Sequence, residues 1–461
     1  MRFTKPKKVV GLDVGTHAVK AVQMSRSGDS LCIEDAGYAL VDPSQVNVDP
    51  IAAQADALRE ALRRISVNQS MIVGALPGQT VVIRYPRLRD IPVDEIDGAI
   101  ESEASQNIPY DLSEVFLDWS LLAEETEGTE KLLKILLVAA KNEVIDSRVQ
   151  VADAAEISFN ILGVDSLALI DAAEGCHMLK KDESVALINL GASSVSIHFT
   201  KDGVSNFIRD ISWGAKEMIN AIAKARRCEF EEAEAILFNL ETELAKSSQA
   251  VEAMPVPEVE VEPATPPPLS GQDSSSTLES LEGGLEDLGQ ETPAIDGPED
   301  LSSVLEPLEE ELDGLVPAID EPKDLSSVLE PLEGELDTLG SSTPTVQDAR
   351  IDDLSGVTPL EEILAMPIAK LVAEVRRSFD YYEHQLYERP VERIILSGGI
   401  AHIPSIQEAL RNDLGIEDVV VANPCQAGIR VKGRTNAPEF EEHPAQFMVA
   451  IGLAARGAAE L

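Results

Sequence analysis

The sequence predicts an α/β protein with two comparable lobes and a long acidic insertion in the second lobe. Two β-hairpins indicate the lobes: the first joins Lys8–Val14 to Ala18–Gln23 through Gly15-Thr16-His17. The second joins Val185–Asn189 to Val195–Phe199 through another glycine-containing turn. Runs of β-branched residues around such links are typical of hairpins. Because each hairpin opens one half of the chain, the pattern indicates a duplicated architecture.

The insertion is recognised by its composition. The chain has 461 residues and a formal net charge of −45, and between Ser247 and Ala349 it holds 26 acidic residues, one basic residue and 13 prolines, with no aromatic residue. Such a stretch cannot bury enough apolar surface to offset roughly 1–2 kcal/mol of backbone entropy per residue. We therefore predict that 247–349 is disordered. The rest of the chain keeps a charge of −20, from 56 acidic and 36 basic residues.

Charge and composition also exclude several functions. A strongly negative surface repels phosphate backbones and acidic lipid, which argues against a nucleic-acid-binding protein. No run of 18 apolar residues is present, and Asp13 interrupts the apolar run that follows the basic N-terminal residues, which does not fit a signal peptide. The four cysteines are scattered without metal-ligand spacing, as expected for free thiols: Cys32, Cys176, Cys228 and Cys425. We expect a cytoplasmic protein with no membrane span.

The remaining elements complete the predicted domain plan. Apolar residues at helical spacing predict helices at Ile51–Ile65, Ala215–Ala223, Phe230–Leu244, Pro359–Leu386 with a break at Pro367, and Ser405–Leu414. The ranges are 1–184 for lobe one, with a partner-binding subdomain at about 70–145, then 185–246 and 350–461 for the two parts of lobe two, separated by the insertion 247–349.

The insertion contains a repeat. Pro293–Leu315 and Pro317–Leu339 are identical at 19 of 23 positions. Apolar residues recur at helical spacing in both copies, but Pro307 and Pro331 interrupt the pattern, and an interior proline costs about 3 kcal/mol in a helix. Two interpretations stay open: a replicated low-complexity spacer, or a tandem docking motif that orders on an unknown partner and gains from avidity.

Three loops carry the residue types that bind phosphate. In Asp13-Val14-Gly15-Thr16, followed by Lys20, turn N–H groups and a hydroxyl can face an anion while the carboxylate holds Mg²⁺ through water. Ordinary turn chemistry also explains this motif when it stands alone. Leu190–Ser194 is the second loop, and in Leu396–Pro404 two consecutive glycines precede a helix whose N-terminus favours anions.

Together, the three loops in two α/β halves favour the actin-like ATPase fold, with duplicated ribonuclease-H-like lobes. The chain further resembles the type IV pilus assembly protein PilM family, which is similar in fold to the cell-division protein FtsA. The resemblance covers about 8–240 and 359–457 and is carried by Val73–Gln79, Glu103–Tyr110, Glu114–Asp118, Val164–Leu169, Arg376–Tyr382 and Val421–Pro424. The acidic insertion lies outside it.

The resemblance implies a set of site residues for ATP and Mg²⁺. The first phosphate hairpin would contain Asp13, Gly15, Thr16, His17 and Lys20, with Asp13 also serving the metal. The second would contain Gly191, Ala192 and Ser193, and the adenosine loop Gly398, Gly399 and Ile400. Asp165 occupies a position from which a carboxylate could orient an attacking water.

The resemblance also implies a function. Proteins of this family are adaptors that dock the cytoplasmic tail of an inner-membrane partner, PilN, and link the alignment complex to the motor ATPase and other pilus machinery. The protein would then be recruited to the inner membrane through its partner. Two alternatives stay open: an actin-like enzyme that hydrolyses ATP, and an FtsA-like cell-division or type II secretion scaffold.

Three departures from the family pattern weaken the case for hydrolysis. Asn189 stands where the second phosphate hairpin usually has Asp, and it cannot offer Mg²⁺ a negative charge. Leu237 stands where a lysine for the ribose and adenine is expected, and Gly214-Ala215 replaces a double glycine. We expect a protein that binds ATP with hydrolysis weak or absent.

Overall fold

A computed structural model describes residues 8–239 and 358–461, apart from residues 29, 90, 93, 94, 128, 129, 427 and 434. The predicted disordered insertion at 247–349 and its repeats lie outside the described residues. The strands, in chain order, are β1 Lys8–Val14, β2 Ala18–Ser27, β3 Ser30–Leu40, β4 Ser70–Leu76, β5 Val81–Arg84, β6 Arg87–Arg89, β7 Val115–Glu127, β8 Glu130–Lys141, β9 Ile161–Val164, β10 Ser184–Leu190, β11 Val195–Lys201, β12 Val204–Ile211, β13 Arg393–Ser397, β14 Asp418–Val421 and β15 Arg430–Val431.

The helices lie between these strands. They are α1 Pro43–Val46, α2 Pro50–Leu62, α3 Ile96–Asn107, α4 Asn142–Ala154, α5 Asp165–Gly175, α6 Ala215–Arg226, α7 Phe230–Phe238, α8 Leu360–Asp380, α9 Pro404–Leu414, α10 Pro438–Glu442 and α11 Met448–Ala459. The predicted break at Pro367 is wrong, because α8 continues through this buried proline and is followed by a π-helical turn, Tyr381–Gln385. The other predicted helices are present with shifted ends, and residues 240–244 of the one predicted at Phe230–Leu244 lie outside the described residues.

Two large sheets share a five-strand order, and the first sheet has β15 as an additional edge strand. The first sheet runs β15-β3-β2-β1-β4-β9 and the second β12-β11-β10-β13-β14. In each sheet, the first two strands in chain order form a hairpin, and the third strand pairs antiparallel to the second. The fourth strand, which is β4 in the first sheet and β13 in the second, pairs parallel to the first strand of its hairpin. This repetition confirms the predicted duplication, and it places the two hairpin turns at equivalent positions.

Buried apolar strands explain why helices cover these sheets. One side of β1, with Val10 and Leu12, packs with α2 and α4, while Val9 belongs to a larger core that continues through α5, α11 and the second sheet. Strands apolar on both faces need cover on both sides. Helix α2 begins at an N-cap, Asp49, whose carboxylate accepts from the Ala52 N–H, with Pro50 at the first helical position.

The range 350–461, which the sequence assigns to the second lobe, divides between the two sheets. Strands β13 and β14 join the second sheet, whereas β15 pairs with β3 of the first sheet. Helix α11 also packs on β1 and α5. Its apolar composition provides buried residues on every side, which a helix covered by two elements needs.

A small sheet is inserted between β4 and α4. Strand β8 pairs with β5 and β6 on one edge and with β7 on the other. Its inner face forms a separate core with α3, built from residues such as Leu133, Ile135 and Ile100. We call the opposite side of this sheet its outer face.

Buried hydrogen bonds attach the small sheet to the second sheet. The Tyr85 hydroxyl lies 2.7 Å from Ser205 Oγ, which lies 2.8 Å from His198 Nε2. His198 Nδ1 is 3.0 Å from the Ser166 carbonyl, which can only accept, so Nδ1 carries the proton and Nε2 accepts from Ser205. Burial lowers the pKa of His198 to about 4, so the ring is neutral. A second link runs from Lys134 through Asn206 to the Tyr382 hydroxyl.

Within the two described ranges, no helix has both the length and the apolar character that crossing a membrane requires.

Candidate functional site

One cleft of about 220 Å³ brings together all twelve predicted site residues. It lies between the turn of the first hairpin, the turn of the second hairpin and the loop after β13. The cleft-lining residues named by the sequence are Asp13, Gly15, Thr16, His17, Lys20, Asp165, Gly191, Ala192, Ser193, Gly398, Gly399 and Ile400. Their proximity is a property of the fold.

The first hairpin carries an ion pair. Asp13 and Lys20 face each other across β1 and β2, with Lys20 Nζ 3.1 Å from Asp13 Oδ2. Both side chains are mostly buried. The turn is closed by a hydrogen bond from the Gly15 N–H to the Ala18 carbonyl, and Arg148 of α4 donates to the Val14 carbonyl at 3.2 Å.

The second hairpin turn is closed in the same way but is neutral. The Gly191 N–H donates to the Ser194 carbonyl at 3.0 Å. Helix α6 braces this turn, because the N–H groups of Ala215 and Lys216 donate to the carbonyls of Gly191 and Ala192. At the end of β10, Asn189 Oδ1 accepts from Ser397 Oγ at 3.3 Å.

The third loop depends on two different glycines. Gly398 has φ +97°, and a Cβ there would lie 2.2 Å from the Leu190 carbonyl oxygen. Only glycine fits this close approach between β13 and β10. A Cβ on Gly399 would meet no atom within 4 Å, so Gly399 leaves its side of the cleft open.

Two contacts cross the cleft. Thr16 Oγ1 and Ser193 Oγ, at the tips of the two hairpins, are 2.9 Å apart. His17 Nε2 lies 3.4 Å from Glu234 Oε1 of α7. Burial, followed by the charges of Lys20 and Lys216, lowers the pKa of His17, so the imidazole is neutral at pH 7 and this contact is not an ion pair there.

The turns leave donors available. In the part of the chain that the structure describes, the backbone N–H groups of Thr16, His17, Ala192 and Ser193 make no backbone hydrogen bond. Consecutive N–H groups of this kind form a concave anion site. Because no group of three or more metal-ligating side chains occurs in the described ranges, Mg²⁺ would fit here only with phosphate oxygens and water completing the shell begun by the Asp13 carboxylate.

Asp165 begins α5 at the floor of the cleft. Its Oδ1 accepts from the N–H groups of Gly78 at 2.7 Å and Ser166 at 2.6 Å. Burial, and then the carboxylate of Asp210, raise the pKa of Asp165 to about 7. The pKa of Asp210 is itself raised by burial, and Ser196 Oγ donates to its Oδ1 at 2.5 Å. One carboxyl from α5 and one from β12 of the second sheet therefore lie near each other beside the cleft.

Comparison with known proteins identifies the family. The family model for the type IV pilus assembly protein PilM matches residues 11–249 and 354–458. The chain belongs to the PilM family. Among solved structures, it is similar to one described as the PilM-PilN type IV pilus biogenesis complex, at 18% identity over 99% of both chains with a TM-score of 0.64. That likeness confirms the actin-like fold.

More distant structures include the ethanolamine utilization protein EutJ from Carboxydothermus hydrogenoformans, at 12% identity over 98% of this chain and 90% of that one, with a TM-score of 0.43. Component A of the (R)-2-hydroxyglutaryl-CoA dehydratase from Acidaminococcus fermentans matches at 9% identity over 98% of this chain and 99% of that one, with a TM-score of 0.39.

In this PilM-family cleft, sequence reasoning missed several lining residues. Phe230, Glu234 and Phe238 face it from successive turns of α7, whereas Leu237 is fully buried in the core. The absence of a lysine at 237 therefore removes nothing from the cleft. The spacing of 230, 234 and 238 was the available signal. Arg148 and Lys216 also line the cleft, and no comparable spacing pattern marks them in the sequence.

Proposed function

We propose that this PilM-family protein is a nucleotide-binding adaptor of type IV pilus assembly, which docks the cytoplasmic tail of an inner-membrane partner similar to PilN. The observation that carries the nucleotide half is the convergence of three glycine-containing loops from both sheets on one cleft. The docking half draws on the PilM-PilN complex, whose fold this chain shares. Recruitment to the inner membrane and a link to the motor ATPase and other pilus machinery follow from the same role.

ATP would lie with its phosphates between the two hairpins. The N–H groups of Thr16, His17, Ala192 and Ser193, which make no backbone hydrogen bond within the described residues, would bind phosphate oxygens, and Asp13 would hold Mg²⁺ with them. Gly398, Gly399 and Ile400 would contact the adenosine, opposite the aromatic face of α7 at Phe230 and Phe238. The bound metal would supply positive charge to the phosphates.

Hydrolysis is proposed to be weak. Asn189 offers no charge at the position equivalent to Asp13, and Asp165 has both acceptor bonds of its Oδ1 committed to backbone N–H groups. An active ATPase is the second candidate, and one observation favours it. A carboxyl with a pKa of about 7 at the cleft floor is suited to proton transfer near neutral pH.

The outer face of the small sheet is the proposed docking surface for the partner tail. Register places Val81, Phe116 and Ala140 in one row, and Ile83 beside Val138 in the next, with Leu136 further along β8. Phe116 is 60% exposed, and Val81, Ile83, Leu136 and Val138 are half-buried. A row of partly exposed apolar side chains on a sheet suits an extended apolar peptide.

Calorimetry on the full chain tests both halves. We expect binding of ATP with Mg²⁺, and separate binding of a peptide that contains the tail of the PilN-like partner. Phe116→Ser should weaken the peptide at least tenfold and leave ATP unaffected. Met366→Ser is the matched control, since Met366 is 69% exposed on α8 in the second lobe.

The nucleotide-binding proposal and the docking proposal can be contradicted independently. Absence of ATP binding would remove the nucleotide role, and equal effects of the Phe116 and Met366 variants on the peptide would remove the docking surface. Single-turnover hydrolysis separates the two candidate functions: rapid turnover of ATP that Asp13→Ala abolishes would replace the adaptor with an active ATPase.

A further inference from the structure

The positively charged side chains that line the cleft differ in whether they already make a hydrogen bond or ion pair within the protein. Three lysine or arginine side chains line it: Lys20, Arg148 and Lys216. Lys20 is paired with Asp13 at 3.1 Å, and Arg148 is buried and donates to the Val14 carbonyl. Within residues 8–239 and 358–461, the Lys216 ammonium has neither a hydrogen bond nor an ion pair. It is therefore the cleft cation that a ligand can engage without breaking a protein contact.

The position of Lys216 is fixed by its backbone. It is the second residue of α6, and its N–H donates to the Ala192 carbonyl of the second hairpin turn. The Ala215 N–H is likewise donated to Gly191. Because these first N–H groups are used by the turn, the N-terminus of α6 has fewer donors left for an anion. The side chain of Lys216 is the group of this helix that remains available.

The Lys216 ammonium acts across the cleft. It is one of the charges that lower the pKa of His17, which belongs to the first hairpin turn, although Lys216 itself is carried by the second lobe. Its positive charge therefore interacts electrostatically with the tip of the opposite hairpin. A phosphate held between the two hairpins would lie between these same elements, where a cation gains most from pairing with it.

We propose that Lys216 of α6 binds the polyphosphate of the nucleotide. This inference rests on the proposed nucleotide binding and names a residue for it. Lys216 acts on the phosphates and not on the base, because it stands beside the second hairpin turn, whereas the aromatic residues Phe230 and Phe238 lie on α7. Arginine at this position would keep the charge.

The first experiment compares ATP, ADP and adenosine binding by calorimetry on the full chain. Lys216→Ala should weaken ATP and ADP about tenfold, the loss expected for one charge-assisted contact, and leave adenosine unchanged. Lys216→Arg should retain most of the affinity. Lys224→Ala is the matched control, since Lys224 is an exposed lysine in the last turn of the same helix and lies outside the cleft.

The second experiment needs no nucleotide. The pKa of His17, followed by NMR, should rise in Lys216→Ala because a nearby positive charge is removed, and should not change in Lys224→Ala. If the wild type binds no nucleotide, both the proposed function and this inference fail. If it binds ATP and Lys216→Ala binds it equally well, or loses adenosine to the same extent, only the role of Lys216 in phosphate binding is overturned.

Discussion

The two hairpins occupy equivalent places in sheets of the same strand order, yet their chemistry differs. In the first, Asp13 faces Lys20 one pair before the turn, and in the second Asn189 faces Ser196 at the same pair. Both turns close with the same glycine N–H bond. The duplicated backbone therefore keeps its turn geometry, while only the first hairpin carries charge at this pair.

The hairpins also differ in how they are held. Two long side chains and one backbone bond hold the first: Gln54 donates to the Gly15 carbonyl and Arg148 to that of Val14, and the Val41 N–H donates to the His17 carbonyl. Backbone atoms hold the second, through the N–H groups of Ala215 and Lys216 and the close approach of Gly398 to Leu190. Substitutions around the second hairpin should therefore affect folding most, and substitutions in the first should affect binding most.

The largest effect is expected at Gly398. Gly398→Ala places a Cβ 2.2 Å from the Leu190 carbonyl oxygen at φ +97°, so strain and overpacking together should cost about 3 kcal/mol or more in the free energy of unfolding. Gly399→Ala is the control, because its Cβ would meet nothing within 4 Å. Urea unfolding measures both. Equal stability of the two variants would show that β10 moves at little cost to accommodate the new Cβ. The backbone contacts of the second hairpin would then contribute little to stability.

The next effect separates the charged hairpin from the neutral one. Asp13→Asn gives the first hairpin the amide of the second, and it should weaken binding of ATP with Mg²⁺ by about tenfold to a hundredfold, since a charged contact is lost. Asn189→Ala should change this affinity by less than about threefold. Titration calorimetry decides. A comparable loss in both variants would mean that the hairpins contribute equally despite their different charges.

Much of this comparison could be predicted from local sequence. Strands such as Lys8–Val14 and the glycine-containing turns predict both hairpins. β-branched runs and turn residues favour their structures through interactions with residues only a few positions away. The residues that contact the site from distant parts of the chain could not be predicted in this way. Arg148 reaches Val14 from 134 residues away, and Asp210 meets Asp165 only through the packing of two sheets. Such contacts follow from tertiary structure, for which one sequence provides no periodic signal.

A third prediction concerns Asp165, where the two lobes meet. Its folded pKa of about 7 lies above the unfolded value near 3.8, so the stability it contributes is present at low pH and is lost as pH rises toward 7. Asp165→Asn keeps an acceptor for the Gly78 and Ser166 N–H groups but cannot ionise. Its advantage over the wild type in unfolding free energy should grow by about 2–3 kcal/mol from pH 5 to pH 8.

Urea unfolding at several pH values measures this difference. Asp153→Asn, at an exposed position on α4, is the matched control measured in the same way. A pH-independent difference for Asp165→Asn would mean that the carboxylate ionises in the folded protein as it does in the unfolded chain. Asp210 would then have little influence on it across the lobe junction.

The smallest effect is expected where the hairpins touch. Thr16 Oγ1 and Ser193 Oγ are 2.9 Å apart, and because the contact is exposed to solvent a double-mutant cycle with Thr16→Ala and Ser193→Ala should give a coupling of about 0.5 kcal/mol in the free energy of unfolding. With ATP and Mg²⁺ bound, the coupling should fall toward zero as each hydroxyl turns to a phosphate oxygen. A coupling that persists unchanged in saturating ATP would place the phosphates elsewhere than between the two turns. The cycle on this one pair of hydroxyls therefore tests whether the charged hairpin and the neutral hairpin bind the same phosphates.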